Sequence, residues 1–89
     1  MEEKSIFVKF FGGYPIVKVL DFMIQNRIFD YSKSEIADGS EIGWSTLHLF
    51  WNRLEELKIV IPTREIGKAK LFRLNTENPV GKDLINFGF

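Results

Sequence analysis

The spacing of hydrophobic residues changes several times along the chain, and each change marks an element. Behind Pro15, Ile16, Val19, Leu20, Met23 and Ile24 recur at three- and four-residue intervals. This predicts an amphipathic helix over 15–27 with proline in its first turn. Before it, Ser5 to Phe11 (SIFVKFF) is a short apolar segment of open type, ended by Gly12-Gly13. Ile28 to Tyr31 is too short for a helix and reads as a connecting strand. Ser32-Lys33-Ser34-Glu35 has capping-box spacing, with Ser32 as N-cap and Glu35 reaching back. It opens a short helix over 33–38, with Ile36 and Ala37 facing inward and Gly39-Ser40 as its break. After a turn, Leu47, Phe50, Trp51, Leu54 and Leu57 form the apolar stripe of a third helix over 44–57. Ser45, His48, Leu49, Asn52 and Arg53 fall largely on its other side.

The period then shortens. KIVIP followed by TREI is β-prone, Gly67-Lys68 can turn the chain, and AKLFRL returns, which predicts a hairpin over 59–74. Asn78 as N-cap and Pro79 in the first turn open a last helix over 79–87, lined by Val80, Leu84 and Phe87. The expected order is helix, short strand, two helices around a tight turn, hairpin and helix. That is the plan of an α+β winged helix-turn-helix domain with N- and C-terminal flanking segments. In it the helix over 44–57 is the one placed to enter a DNA major groove.

Length and composition set the bounds. A chain of 89 residues, 45% hydrophobic, holds one domain, and folding at this size hides roughly 60–65% of the unfolded surface. A second catalytic domain and a large dinucleotide-binding sheet are excluded. Cysteine is absent and His48 is the single histidine, so disulfide frameworks, thiolate zinc sites and multi-histidine metal sites are ruled out. No cofactor is expected. No apolar run approaches the ~20 residues that span a bilayer, and the opening MEEKS does not read as a signal peptide. A cytoplasmic protein without a membrane partner is the expectation.

Twelve basic and twelve acidic residues cancel, but unevenly. Residues 1–41 hold five basic against seven acidic groups, 42–75 hold six against three, and 76–89 hold one against two. The surplus lies on the third helix and the hairpin, where it would meet phosphates. Lys68 and Lys70, with help from Arg64, are candidate phosphate contacts on the wing; a solvated hairpin tip would favour the same residues. On the third helix the candidates are Ser45, Thr46, His48, Leu49, Asn52 and Arg53. Hydroxyls near a helix start can donate to phosphate, and Asn and Arg can reach base edges. Arg53, late in the helix, has Glu56 as an alternative partner. Trp44 and Leu49 are apolar groups near this face, suited to thymine methyls, to the turn or to a protein partner.

Aromatic residues make up 15% of the chain. Ile6, Phe7, Phe10 and Phe11 at one end, with Val80, Leu84, Ile85, Phe87 and Phe89 at the other, exceed the needs of one small core. They point to a homodimer, whose two reading helices would meet successive turns of double-stranded DNA; the alternative is a thicker monomer core. No nucleophile or second base is spaced to use His48, and Gly67-Lys68 lacks the rest of a phosphate-binding loop. An enzyme is not expected.

Over Pro15 to Leu84 the chain resembles the small archaeal winged-helix transcriptional regulators, broadly of the MarR/ArsR-like superfamily. The resemblance is carried by YSKSEIA, STLHLFWNRLEELKIV and TREIGKAKLFRLN. It implies a sequence-specific, usually homodimeric DNA binder. Ser45, Thr46, His48, Leu49, Asn52 and Arg53 would then stand at recognition-helix positions, with Arg64, Lys68 and Lys70 on the wing. Two positions depart from the pattern: Leu49, more often polar or basic, and Lys58, where glycine is common after the recognition helix. The same architecture also serves as a protein-interaction module in transcription or replication assemblies.

Overall fold

The computed structural model describes residues 14–77. The segments Ser5–Phe11 and 79–87, and with them the terminal aromatic residues, lie outside the described residues. Pro15, its φ already near the helical value, starts α1 at Pro15–Gln25. Val19, Met23 and Ile24 are its buried side. The helix stops two residues short of the expected 27 because Asn26 closes it. Both the Asn26 side-chain amide and its backbone N–H donate to the Phe22 carbonyl, at 2.8 and 3.0 Å. The guanidinium of Arg27 donates to the Ile24 carbonyl at 3.0 Å, so the last turn leaves these acceptors satisfied.

The strand β1, Tyr31–Ser32, runs straight into α2, Lys33–Ser40. The capping box is formed: Ser32 N–H donates to Glu35 Oε1 at 2.9 Å, and Glu35 N–H donates to Ser32 Oγ at 3.2 Å. Contrary to the sequence expectation, Gly39-Ser40 does not break this helix at 38. Gly39 is there for close packing: a Cβ built on it would collide with the Phe22 ring at Cε1. The turn comes at Glu41, which takes a left-handed φ of 61°. Glu41 N–H donates to the Asp38 carbonyl and Ile42 N–H to that of Ala37, at 3.1 and 3.0 Å. This is a Schellman ending, and Ile42 packs against the core beside it.

The single helix expected over 44–57 is divided into α3, Trp44–His48, and α4, Trp51–Glu56. At the junction Leu49 and Phe50 N–H groups bond three residues back, to Thr46 and Leu47 carbonyls, and Phe50 opens to φ −131°. A regular helix would aim neighbouring side chains about 100° apart. Loosening the turn at Phe50 lets Phe50 and the fully buried Trp51 both pack against the core. Leu57, expected in the buried stripe, is 53% exposed. It sits where α4 ends, and a second Schellman ending follows. Lys58 turns the chain at φ 60°, and the N–H groups of Lys58 and Ile59 return to Glu55 and Leu54 carbonyls, both at 3.0 Å. Ile59 takes the buried place that Leu57 leaves.

The strands β2, Val60–Ile66, and β3, Ala69–Leu74, form the hairpin. Gly67 turns it at φ 62°, while Lys68 keeps a negative φ; these signs match a type II′ turn. The sheet order is β1-β3-β2 and both pairings are antiparallel. Pro62 is tolerated because β2 is an edge strand, and Thr63 is an extra residue between the pairs Pro62↔Phe72 and Arg64↔Leu71.

Helices and sheet share one core. Val19, Met23 and Ile24 of α1 meet Ile36 and Ala37 of α2, Leu47 of α3, and Trp51 and Leu54 of α4 over Val60, Phe72 and Leu74 of the sheet. Trp51 and Phe72 meet edge to face, with centroids 5.1 Å apart at 81°. The described residues thus form a small α+β domain of four helices and an open three-stranded antiparallel sheet, consistent with a winged-helix-like fold.

Three substitutions test the close contact at Gly39 and the two left-handed helix endings. Helix propensity alone makes Gly39→Ala stabilising by about 1 kcal/mol. Overpacking against Phe22 reverses the sign, for a net loss of about 1–2 kcal/mol and a melting point several degrees lower. Glu41→Gly and Lys58→Gly each remove a left-handed side chain and are expected to stabilise by about 0.5–1 kcal/mol, read by urea unfolding.

Candidate functional site

The outer part of the hairpin leaves the core. β2 is exposed from Pro62 to Ile66, and so are Ala69 and Lys70 on β3. The hairpin therefore projects as a wing; Val60, Phe72 and Leu74 bury its base, and a polar contact holds the exposed stretch just beyond it. Asp30, just before β1, supplies that hold. Its carboxylate accepts two bonds from the Arg64 guanidinium, Nε to Oδ2 at 3.0 Å and Nη2 to Oδ1 at 3.3 Å. The Thr63 hydroxyl donates to the same carboxylate. The bulge is what makes this geometry, since it brings two consecutive side chains, Thr63 and Arg64, onto one acceptor. The Arg64 hydrogen bonds, then that of Thr63, hold the Asp30 carboxyl below the usual carboxylate range.

The sequence candidates thus fall into distinct sets. Arg64 is committed to Asp30, and Arg53 lies 3.5 Å from Glu56 with both side chains well exposed. Ser45, His48, Asn52 and Arg53 are exposed on α3 and α4, and Thr46 is half-buried. Leu49, at the junction of the two helices, is 83% exposed. Lys68 and Lys70 are exposed at the wing turn and the start of β3. Trp44, at the start of α3, is 52% exposed and meets His48 edge-on at a centroid distance of 4.3 Å.

An open groove of about 380 Å³ lies between the wing and the helices. One wall is the entrance to α2, Ser32 to Ser34; Trp44 and Glu55 come from the helices. Lys68, Ala69 and Lys70 come from the hairpin, and Phe72 also lines it. Of the sequence candidates, the groove gathers Lys68 and Lys70; Ser45, Thr46, His48, Leu49, Asn52, Arg53 and Arg64 lie outside its lining. It adds Lys33, which sequence reasoning did not single out. The pairing of Ser32 with Leu71 brings the next residue, Lys33, alongside Lys70, and that register is a tertiary fact. The Lys33 ammonium stands 5.8 Å from the centroids of both Trp51 and Phe72, a cation–π placement worth about 0.5–1 kcal/mol near a surface. Among the described residues Lys33, Lys68 and Lys70 form no ion pair with a carboxylate, although Glu65 stands opposite Lys70 in the β2–β3 register. Three ammonium groups therefore face one carboxylate, Glu55, across the groove.

Among the described residues no cluster of three metal-ligating side chains is gathered, and no helix is long and apolar enough to cross a membrane.

The depressed Asp30 pKa fixes the sign of a pH effect. The clamp on the wing base contributes stability fully above the pKa that Asp30 has in the unfolded chain. That contribution is lost as pH falls through the lower folded-state value. Asp30→Asn is therefore expected to lower stability at neutral pH and to flatten the acid limb of the stability–pH curve, measured by urea unfolding at stepped pH.

No protein-family model matches the chain, and no curated protein matches it.

Proposed function

We propose that the protein binds double-stranded DNA in a sequence-specific manner as a cytoplasmic transcriptional regulator of the winged helix-turn-helix type. The observation that carries this reading is a projecting hairpin whose exposed Lys68 and Lys70 form no ion pair among the described residues, on a domain with winged-helix-like element order. Lys68 and Lys70 contact phosphate, while Ser45, Thr46, His48, Asn52 and Arg53 offer donors toward the duplex from α3 and α4. Arg64 acts at one remove, by fixing the wing base through Asp30. The resemblance to small archaeal regulators stands beside this as support of the same kind. The protein performs no chemical step in this reading; occupancy of an operator is its action. Exposed Tyr14, Ile28 and Phe29 are apolar surface in keeping with a homodimer.

A winged-helix protein-interaction module is the second reading, favoured by the exposed Leu49 side chain between α3 and α4. Site selection from random duplexes, with mass by light scattering, separates the two. The regulator selects a palindromic site as a two-chain species; the interaction module selects none. On the selected duplex, Lys68→Ala/Lys70→Ala is expected to reduce the slope of log affinity against log salt by about 0.9 for each phosphate that is no longer neutralised. An unchanged affinity and slope would remove the wing from the interface.

A further inference from the structure

The cations of the domain sort themselves by whether they are already neutralised. Arg53 and Arg64 have carboxylate partners on the domain itself. Among the described residues Lys18, Lys33, Lys68, Lys70 and Arg73 form no ion pair, and three of these, Lys33, Lys68 and Lys70, line the groove beside the wing. Bringing like charges to one concavity raises its potential and favours an anion there. The groove has a second property that a duplex backbone does not use. Trp44 contributes a half-exposed indole to it, a flat apolar surface beside the ammonium groups. Its volume of about 380 Å³ falls within the usual range of small-ligand sites, about 300–1,000 Å³. Cationic grooves with an exposed aromatic ring suit a nucleotide, whose base stacks while its phosphate meets the lysines.

We infer that the groove takes a nucleotide unit, its base against Trp44 and its phosphate among Lys33, Lys68 and Lys70. A single nucleic-acid strand and a free mononucleotide share this chemistry. The site goes beyond duplex reading: an unpaired base has its face open to Trp44, whereas a paired and stacked base does not. Lys33 and Trp44 separate the two activities, because neither belongs to the duplex-contacting set. Glu55 is the one carboxylate in the groove and opposes the ligand's charge.

The chain has two tryptophans, and Trp51 is fully buried, so quenching of intrinsic emission reports on Trp44. The full chain is titrated with a thymidine strand of about twelve nucleotides, with the blunt duplex containing that strand, and with thymidine monophosphate. Saturable quenching by the strand is expected. Trp44→Leu weakens a fluorescein-labelled strand about tenfold by anisotropy. Lys33→Ala lowers the salt slope by about 0.7, and Glu55→Gln tightens binding. Quenching by the monophosphate at a comparable concentration assigns the site to the free nucleotide; quenching by the strand alone assigns it to the polymer. Absence of quenching by both overturns the inference, as does a folded Trp44→Leu variant with unchanged affinity, folding being checked by circular dichroism. Duplex binding without either effect would overturn the groove site and leave the operator reading standing. Strand binding without any selected duplex would do the reverse.

Discussion

The contact between Trp51 and Phe72 is the join on which the domain depends. Phe72 lies in the central strand, paired with Tyr31 on one side and Pro62 on the other, and Trp51 is the largest fully buried side chain of the helical layer. Their edge-to-face geometry adds about 0.5–1.5 kcal/mol to the burial of the two rings. Its position matters more than its energy. It fixes α4 against β3, and through β3 it sets where β1 and the wing emerge. To reach this contact while Phe50 also turns inward, the third helical segment gives up its regular path. The same two rings lie beneath the Lys33 ammonium, so the core interaction also fixes the position of a surface charge.

Two helices end on left-handed residues that are not glycine, and both endings set direction. After Glu41 the chain turns into Ile42 and then α3; after Lys58 it turns into Ile59 and then β2. Each ending couples a returned backbone hydrogen bond to an apolar residue that packs directly after it. Backbone strain of about 1 kcal/mol at each site is offset by this coupling. The turn from α2 into α3 and the departure of the hairpin from α4 are therefore set by the same local device used twice.

Much of this was legible from sequence because it is local. Pro15, the Ser32–Glu35 box and the Gly67 turn act within four residues, and the period of apolar residues located the helices and the hairpin. Where local and tertiary demands diverged, the sequence pointed the wrong way. Gly39 resembles a stop signal, yet its small size answers to Phe22, seventeen residues earlier. The stripe from Leu47 to Leu57 resembles one helix because spacing does not register the crowding of Phe50 against Trp51. The site followed the same rule. Lys68 and Lys70 were visible at a turn, whereas Lys33 becomes their neighbour only through strand register. Arg64 looked like a free wing cation because the partner that binds it, Asp30, lies in another element.

The edge of the sheet bears on how copies of this chain can meet. β2 has no strand beyond it among the described residues, and a bare edge of seven residues would ordinarily invite a strand from another molecule. Pro62 offers no N–H for such pairing, and the bulge at Thr63 interrupts the spacing of the donors and acceptors that remain. Edges broken in this way resist extension into continuous sheets. Continuous sheet growth through β2 is therefore disfavoured, so the wing is presented to a partner by its side chains rather than by its backbone.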